Sequence, residues 1–430
     1  MKKRILLILT EFPPRIGGMQ THAIMLSKRL VEMGSTVTVF TYRPSGNLDE
    51  CRDVDSEFSF PVHRVLSRIV YFRNIELLLR GINDFDPHII YSSTVFYGIL
   101  EKLTGVPVIC RSVGNDILRP WIAYPYKICS SLLSSAKIER PIYDFYKKMD
   151  KPERIEILLR EKRLNLTVDS AKSATKILAN SNFTRDLLLE AGVLPERIQL
   201  VVGGVDTSFF KRPPKFNKDE CKNRLCLPPG RKILLTVCRL VDKKGLDFLI
   251  SSFAAVNPAK KKWHLVIVGN GRRQKRLKRM AVDLNVSEYI TFVGAVPYSV
   301  MPPYYWVSDI FVLASTVFKD PSTGLKDAET MGRVLCEANA AGLPVLATES
   351  GGIPSVITHG DNGLLFLENS REQFYRNIKR LLKDKLLRRH LINCGLKRAR
   401  EEFDWKHVIG EHERAFALEE FDRSQDAVCV

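Results

Sequence analysis

Glu329 and Glu337 stand with seven residues between them in the segment ETMGRVLCEANAAGLPVLA, residues 329–347. Gly332 opens a run with helical apolar spacing over residues 333–341, Gly342 closes it, and Pro344 starts an apolar strand at 344–347. A glycine at a helix start lets backbone amides approach a phosphate, and the helix dipole favours the anion. Glu329 lies just before that turn. Glu337 lies in the helix, where a carboxylate can accept from vicinal hydroxyls. A sugar nucleotide needs two such groups, one for sugar hydroxyls and one for ribose. On these residues alone a surface helix with two solvated glutamates stays open.

Arg239 and Lys244 follow an apolar run at 232–237. Two cations just past a strand can clamp a diphosphate, the arginine as a fork and the lysine as a point charge; a solvated basic turn is the alternative in a chain so rich in both. Gly17 and Gly18 follow the first apolar run, 5–9, where glycine would let a ligand approach the backbone. In RSVGND, residues 111–116, Arg111 and Asp116 could touch a sugar, although Asp116 could equally cap the next helix. Other apparent motifs read as structural. Asp53 with Asp55 and Asp84 with Asp86 have acidic metal-site spacing but read as solvated turns. Gly269-Asn270-Gly271 has Gln274 where a dinucleotide fingerprint needs its third glycine. The basic run from Arg272 to Arg279 reads as a solvated helix face, with anionic lipid headgroups as the sharper alternative. The eight histidines show no metal spacing.

The elements that would position these residues alternate. Strands are expected at 5–9, 36–41, 89–92, 106–110, 232–237, 263–268, 310–313 and 344–347, with helices at 20–33, 246–256, 273–284 and 405–421. Strand–helix alternation argues for parallel sheets covered by helices on both faces. Ligands of such sheets sit outside the carboxyl ends of the strands. At 430 residues the chain is too long for one ordinary core. The pattern restarts after Gly203-Gly204 and Pro213-Pro214, so the expected fold is α/β: two Rossmann-like, doubly wound domains, 1–214 and 215–404, facing across a cleft. The stretch 405–430 would be a helix returning to the first domain. A basic aromatic insert, 120–165, fits neither domain's alternation and reads as an acceptor-binding or membrane-contact element, or a helical excursion with a small core of its own.

The net charge of +18 favours anionic partners without choosing among them. Nine cysteines at scattered spacing read as reduced thiols. The apolar run at 5–9 is too short for a signal peptide, and no stretch approaches the roughly 20 apolar residues of a membrane span. The expected place is therefore the cytoplasm, with the inner membrane face as a peripheral site.

Several segments resemble glycosyltransferase family 4, the large retaining family with the GT-B fold. Residues 329–347, followed by Ser350-Gly351-Gly352-Ile353-Pro354, resemble its E-x7-E signature. Glu11-Phe12-Pro13-Pro14 with Gly17-Gly18, Ser181-Asn182-Phe183-Thr184, Val202-Gly203-Gly204-Val205-Asp206, Cys238-Arg239-Leu240-Val241 with Lys244-Gly245, and His359-Gly360-Asp361-Asn362-Gly363 match other family segments in order. The likeness is weakest over 120–165. Val113 stands where many relatives carry a histidine, Cys238 replaces a glycine, Gly203 an asparagine, and Thr330-Met331 a small–aromatic pair, so donor identity does not carry over.

The resemblance implies a retaining hexosyltransferase that uses a UDP- or GDP-sugar and a saccharide or lipid-linked acceptor, in polysaccharide or glycolipid synthesis. It assigns catalysis to Glu329, Arg239 and Lys244. Donor contacts fall to Gly17, Gly18, Gly332, Glu337, Met331 and Val296, and sugar or acceptor contact to Arg111 and Asp116. No metal or other cofactor and no nucleic acid is expected, with an anionic membrane surface as a further partner. An epimerase or hydrolase on the same architecture, or a non-catalytic anion-binding protein, are the rival readings.

Overall fold

The computed structural model describes residues 3–14, 18–44, 48–67, 71–118, 126–128, 131–133, 164–319 and 326–417. They form two units. The first gathers the described residues up to Val201, Lys319 and Lys326, and those from Ile409 onward; the second gathers Val202–Phe318 and Asp327–Val408.

The first unit carries a seven-stranded sheet of β1 (Arg4–Leu9), β2 (Thr36–Tyr42), β3 (Val62–Leu66), β4 (Ile89–Ser92), β5 (Val108–Ser112), β6 (Lys176–Ala179) and β7 (Ile198–Leu200). Their order is β3-β2-β1-β4-β5-β6-β7, and neighbours pair in parallel. The central strands are continuously apolar, as a sheet covered on both faces requires: Ile5 to Leu9 and Ile89 to Tyr91 are all essentially buried. The order reverses between β1 and β4, where the Thr10 backbone amide donates to Ser93 Oγ at 2.9 Å.

The second unit repeats the plan with β8 (Lys232–Val237), β9 (Trp263–Val268), β10 (Ile290–Gly294), β11 (Ile310–Leu313), β12 (Val345–Thr348) and β13 (Leu364–Phe366). The order is β10-β9-β8-β11-β12-β13, again parallel. It is the doubly wound order whose reversal, here between β8 and β11, opens a ligand crevice at the carboxyl ends.

The domain change expected at 214/215 is corrected to 201/202. Val205 and Phe210 are fully buried in the second unit's core, and Val205 bridges to Asp404. The prolines at 213–214 punctuate a surface turn within that unit. The last helix, Trp405–Ala417, is counted with the first unit from Ile409 onward. There the His412 ring lies tilted at 55° to that of Tyr91 with centroids 5.7 Å apart, and its Nε2 lies 3.0 Å from His22 Nε2.

Buried histidines give the fold an acid sensitivity. His264 on β9 shares a 2.8 Å hydrogen bond with Thr291 Oγ1. Burial, then the nearby Arg231 and Lys222, pushes it from its ordinary 6.5 down to about 4. Burial, Arg111 and His412 likewise push His22 well below 6.5. Both stay neutral in the folded chain while the unfolded chain takes up protons below 6.5. Their stabilising contribution is therefore complete above that value and is lost as pH falls toward 4. Thermal unfolding followed at pH 7, 5.5 and 4.5 is expected to show a falling midpoint, with a shallower fall in His264→Gln. Identical pH slopes for the two proteins would refute the assignment to His264.

Candidate active site

Arg239, Lys244, Glu329 and Gly332 come from the two segments flanking the β8/β11 reversal. After β8 the chain passes Cys238 and Arg239, makes a turn over Asp242–Lys244, and enters the helix Leu246–Ala255 through Gly245 at φ 59°. A Cβ at Gly245 would lie 1.9 Å from the carbonyl oxygen of Ala314. The turn that carries Lys244 is thus pressed against the backbone just beyond β11, and only glycine fits there.

The consequence is an ion pair between Lys244 Nζ and Glu329 Oε2, with the two side chains 11% and 13% exposed. Ser315 Oγ lies 3.5 Å from the same oxygen. Burial pushes the Glu329 carboxyl up, but the charge and hydrogen bond of Lys244 outweigh it and leave its pKa below the ordinary 4.5. Burial likewise pushes Lys244 down, and Glu329 more than reverses this, leaving it above 10.5. Both groups are charged across the whole neutral range.

The loop bearing Glu329 is fixed from two further sides. Lys243 is buried and reaches Asp327 Oδ1 at 2.8 Å and the Ala328 carbonyl oxygen at 2.9 Å. From the loop after β12, the Gly352 amide donates to the Glu329 carbonyl oxygen at 2.7 Å. A Cβ at Gly352 would meet the Thr330 carbonyl oxygen at 1.9 Å. The pattern of residues did not single out Lys243, Ser315 or Tyr305; nothing in the doublet Lys243-Lys244 signals that both lysines turn inward, with side chains 6% and 11% exposed.

Arg239 is exposed, and it has no ion pair or side-chain hydrogen bond among the described residues. Cys238 beside it is buried, and burial raises its thiol to about 11, so it contributes shape rather than charge. Gly332 takes a left-handed conformation, φ 88°, as the N-cap of the helix Arg333–Ala340. The Leu335 amide donates to the Gly332 carbonyl oxygen at 2.8 Å, and the Arg333 and Val334 amides, in the first turn, have no intrahelical acceptor.

Glu337 departs from the expected open, hydroxyl-accepting position. It is 3% exposed, it accepts from Tyr305 Oη at 2.6 Å, and it lies 3.4 Å from Arg333 Nε. Position 337 is one turn beyond Arg333 on a helix whose inner face is core, so this carboxylate is drawn toward the buried Tyr305. Met331 is also buried, and its sulfur accepts from the Gly203 amide at 3.5 Å. Val296 lies just past β10, partly buried against the second unit's core.

In the first unit, Gly18 begins the helix Gly18–Glu32, and Gly17 lies outside the described residues. Asp116 is neither a helix cap nor an open contact. It is 4% exposed and accepts from Ser112 Oγ at 2.8 Å and the Val95 amide at 3.3 Å, which ties the segments after β4 and β5 together. Arg111 is 5% exposed, with Nη1 3.8 Å from Met19 Sδ. Val113 is partly buried. The insert 120–165 lies almost wholly outside the described residues, apart from an antiparallel pair of short strands, Tyr126–Ile128 and Ser131–Leu133.

Among the motifs set aside, Asp53 and Asp55 sit in a helix, Leu48–Ser56, rather than a loop, and Asp55 pairs with Arg64 at 2.7 Å. The exposed Asp86 pairs with Arg4. The basic run forms the helix Gln274–Asp283, with Arg273 pairing Asp242 and Asp247. One grouping was invisible to spacing. Asp361 joins His390 and Cys394, one turn apart on the helix Lys385–Arg398, with ligand atoms within 4.8 Å. Burial and a hydrogen bond with Asp361 raise the Cys394 thiol above its ordinary value, and its sulfur lies 3.8 Å from His390 Nδ1. Among the described residues seven cysteines are free thiols, and no helix is long and apolar enough to cross a membrane.

Two family models match the chain: glycosyltransferase family 4 over residues 16–209, and glycosyl transferases group 1 over residues 217–398. Curated relatives include a GDP-mannose-dependent alpha-(1-6)-phosphatidylinositol monomannoside mannosyltransferase of Mycobacterium tuberculosis. It is 31% identical over 205 residues, 48% of this chain and 52% of that one, so the chain spans about half the length of that relative. An alpha-monoglucosyldiacylglycerol synthase of Streptococcus pneumoniae is 25% identical over 351 residues, 80% of this chain and 70% of that one. Among solved structures, Anabaena HepE in complex with UDP superimposes with a TM-score of 0.71 at 18% identity, covering 96% of this chain and 99% of that one, a likeness of fold. The two parallel-sheet domains have the GT-B fold, and the chain belongs to the group 1, family 4 glycosyltransferases.

Proposed function

We propose that this protein transfers a hexose from a UDP- or GDP-sugar to a saccharide or lipid-linked saccharide, with retention of anomeric configuration, in the synthesis of cell-surface polysaccharide or glycolipid. One observation carries the reading: Arg239, exposed and without an ion pair among the described residues, the Lys244–Glu329 ion pair and the amino end of the helix Arg333–Ala340 flank one strand reversal.

When the bond between the anomeric carbon and the phosphate oxygen breaks, negative charge builds on the departing diphosphate. Arg239, Lys244 and the first-turn amides would stabilise it. Glu329 would orient sugar hydroxyls while keeping Lys244 charged. The acceptor oxygen bonds the anomeric carbon from the face the diphosphate leaves, and its proton passes to the leaving phosphate oxygen. No side-chain base is required by that balance, and the two cations supply the charge that a divalent ion would otherwise bring. Glu337 would fix Arg333 and Tyr305 at the edge of the donor site, with spare lone pairs for a ribose hydroxyl. The carboxyl edge of the first domain would take the acceptor.

These relatives are named for GDP-mannose, phosphatidylinositol monomannoside and diacylglycerol, which supports a nucleotide donor and a lipid-linked acceptor. The charge of +18 suits work in the cytoplasm against an anionic inner membrane face. Incubation of the purified protein with candidate UDP- and GDP-sugars and a lipid-linked acceptor, in chelator, should give a product whose anomeric proton has the donor's configuration by NMR. An inverted product would refute retention, free hexose alone would favour the hydrolase, and activity restored only by added divalent ions would refute metal independence.

A further inference from the structure

A cavity of about 460 Å³ opens at the opposite end of the second sheet from the donor residues. Its floor is made by the amino ends of the central strands: Lys232 begins β8, Asp309 precedes β11, and Pro344 precedes β12. Six cations line it, Lys211, Arg212, Lys218, Lys232, Arg388 and Arg400, against the single carboxylate of Asp309. That carboxylate is already shared. It accepts from Lys218 Nζ at 2.9 Å, lies 3.4 Å from Lys232 Nζ, and accepts from the Ile233 amide at 2.9 Å. The three guanidinium groups have no ion pair or side-chain hydrogen bond among the described residues.

Gathering like charges around a concavity raises the free energy of the empty site, and a multivalent anion relieves it. The carboxyl end of the helix Arg333–Ala340 also faces this cavity through Ala340 and Ala341, but it offsets only about half a charge, small against the excess of cations. Guanidinium forks match phosphate oxygens in pairs. Lys232 and Arg239 are seven positions apart along β8 and its exit, which puts the cavity roughly 20 Å from the donor residues. We propose that this cavity is a second anion site, separate from the donor site, that binds a phosphate or phosphate-ester group through Arg212, Arg388 and Arg400, with Asp309 keeping Lys218 and Lys232 in place.

Inorganic pyrophosphate is the probe, titrated calorimetrically into full-length Arg239→Ala protein so that the donor site is disabled. Saturable binding is expected to persist there and to weaken about tenfold or more when R212A, R388A and R400A are added. The charge-matched control K275A/K278A/R279A, taken from the exposed helix Gln274–Asp283, should change it less than about twofold. Should the triple variant fold poorly, Arg388→Ala alone serves with the same expected direction. Equal losses in cavity and control variants, or no loss in either, would overturn the proposal. Sedimentation with phosphatidylcholine vesicles containing phosphatidic acid separates the sources of the phosphate. Vesicle binding lost only in the cavity variant would assign the site to a lipid headgroup, and pyrophosphate binding alone to a soluble ester.

Discussion

Arg239→Ala is expected to lower kcat/KM by about 10²–10³-fold while leaving the unfolding midpoint nearly unchanged. The two halves of that result follow from one fact: the side chain is exposed and has no partner among the described residues, so the folded protein loses no contact when it is removed. A charge-paired surface arginine would show the opposite balance, a small change in both. Arg239→Lys should recover only part of the activity, because an ammonium supplies charge without the planar fork that grips two phosphate oxygens. The measurement is steady-state kinetics with the preferred donor alongside thermal unfolding. Wild-type turnover in Arg239→Ala would remove this residue from the site.

The second large effect is coupled. Glu329→Gln or Lys244→Met alone leaves a nearly buried charge unpaired, which costs about 3 kcal/mol of stability, and each should also depress turnover by about 10²-fold. The double variant replaces both charges by neutral groups. It should recover most of the stability and none of the activity, a non-additivity that separates the fold's need for the pair from the reaction's need for it. The pH window is set by the shifts themselves. The lowered Glu329 contributes stability above its ordinary 4.5 and loses it as pH falls through its folded value. The raised Lys244 contributes below 10.5 and loses it as pH rises through its folded value. Between those limits the wild type's margin over the double variant should be flat. A margin that changes steeply between pH 6 and 8 would refute the charged pair.

The parallel sheets were legible because parallel strands buried on both faces are unbroken apolar runs, and β4, β8, β9 and β11 were read from sequence to the residue. The penultimate strand β6 and the rim strands β3, β7, β10 and β13 were not. They are short, as with the three or four residues of β6, β7 and β13, or half-exposed, as with the intermediate positions of β3 and β10, and none announces itself as a long apolar run. The domain change was misplaced because Pro213-Pro214 is a strong local signal, whereas the decisive fact, burial of Val205 and Phe210, is a tertiary one.

At the site, residue types and spacing located Arg239, Lys244 and Glu329 but not their pairing. Eighty-five positions separate Lys244 from Glu329, and it takes tertiary contacts, of Gly245 with Ala314 and of Lys243 with Asp327 and Ala328, to close that distance. The partners of Glu337 were hidden for a related reason. Helical spacing puts it one turn past Arg333, but which way that face turns is decided by Tyr305, from another helix. Asp116 likewise reads as a cap from its neighbours and becomes a brace only once Val95 and Ser112 are beside it.

The most direct test is thermal stabilisation of the full-length protein by a panel of UDP- and GDP-sugars, with and without a chelator, in wild type and in Arg239→Ala. The account predicts a saturable shift with at least one donor, unchanged by the chelator and strongly reduced in Arg239→Ala. A shift that disappears in chelator, or one of equal size in the variant, would contradict a metal-independent donor site built on Arg239 and the Lys244–Glu329 pair.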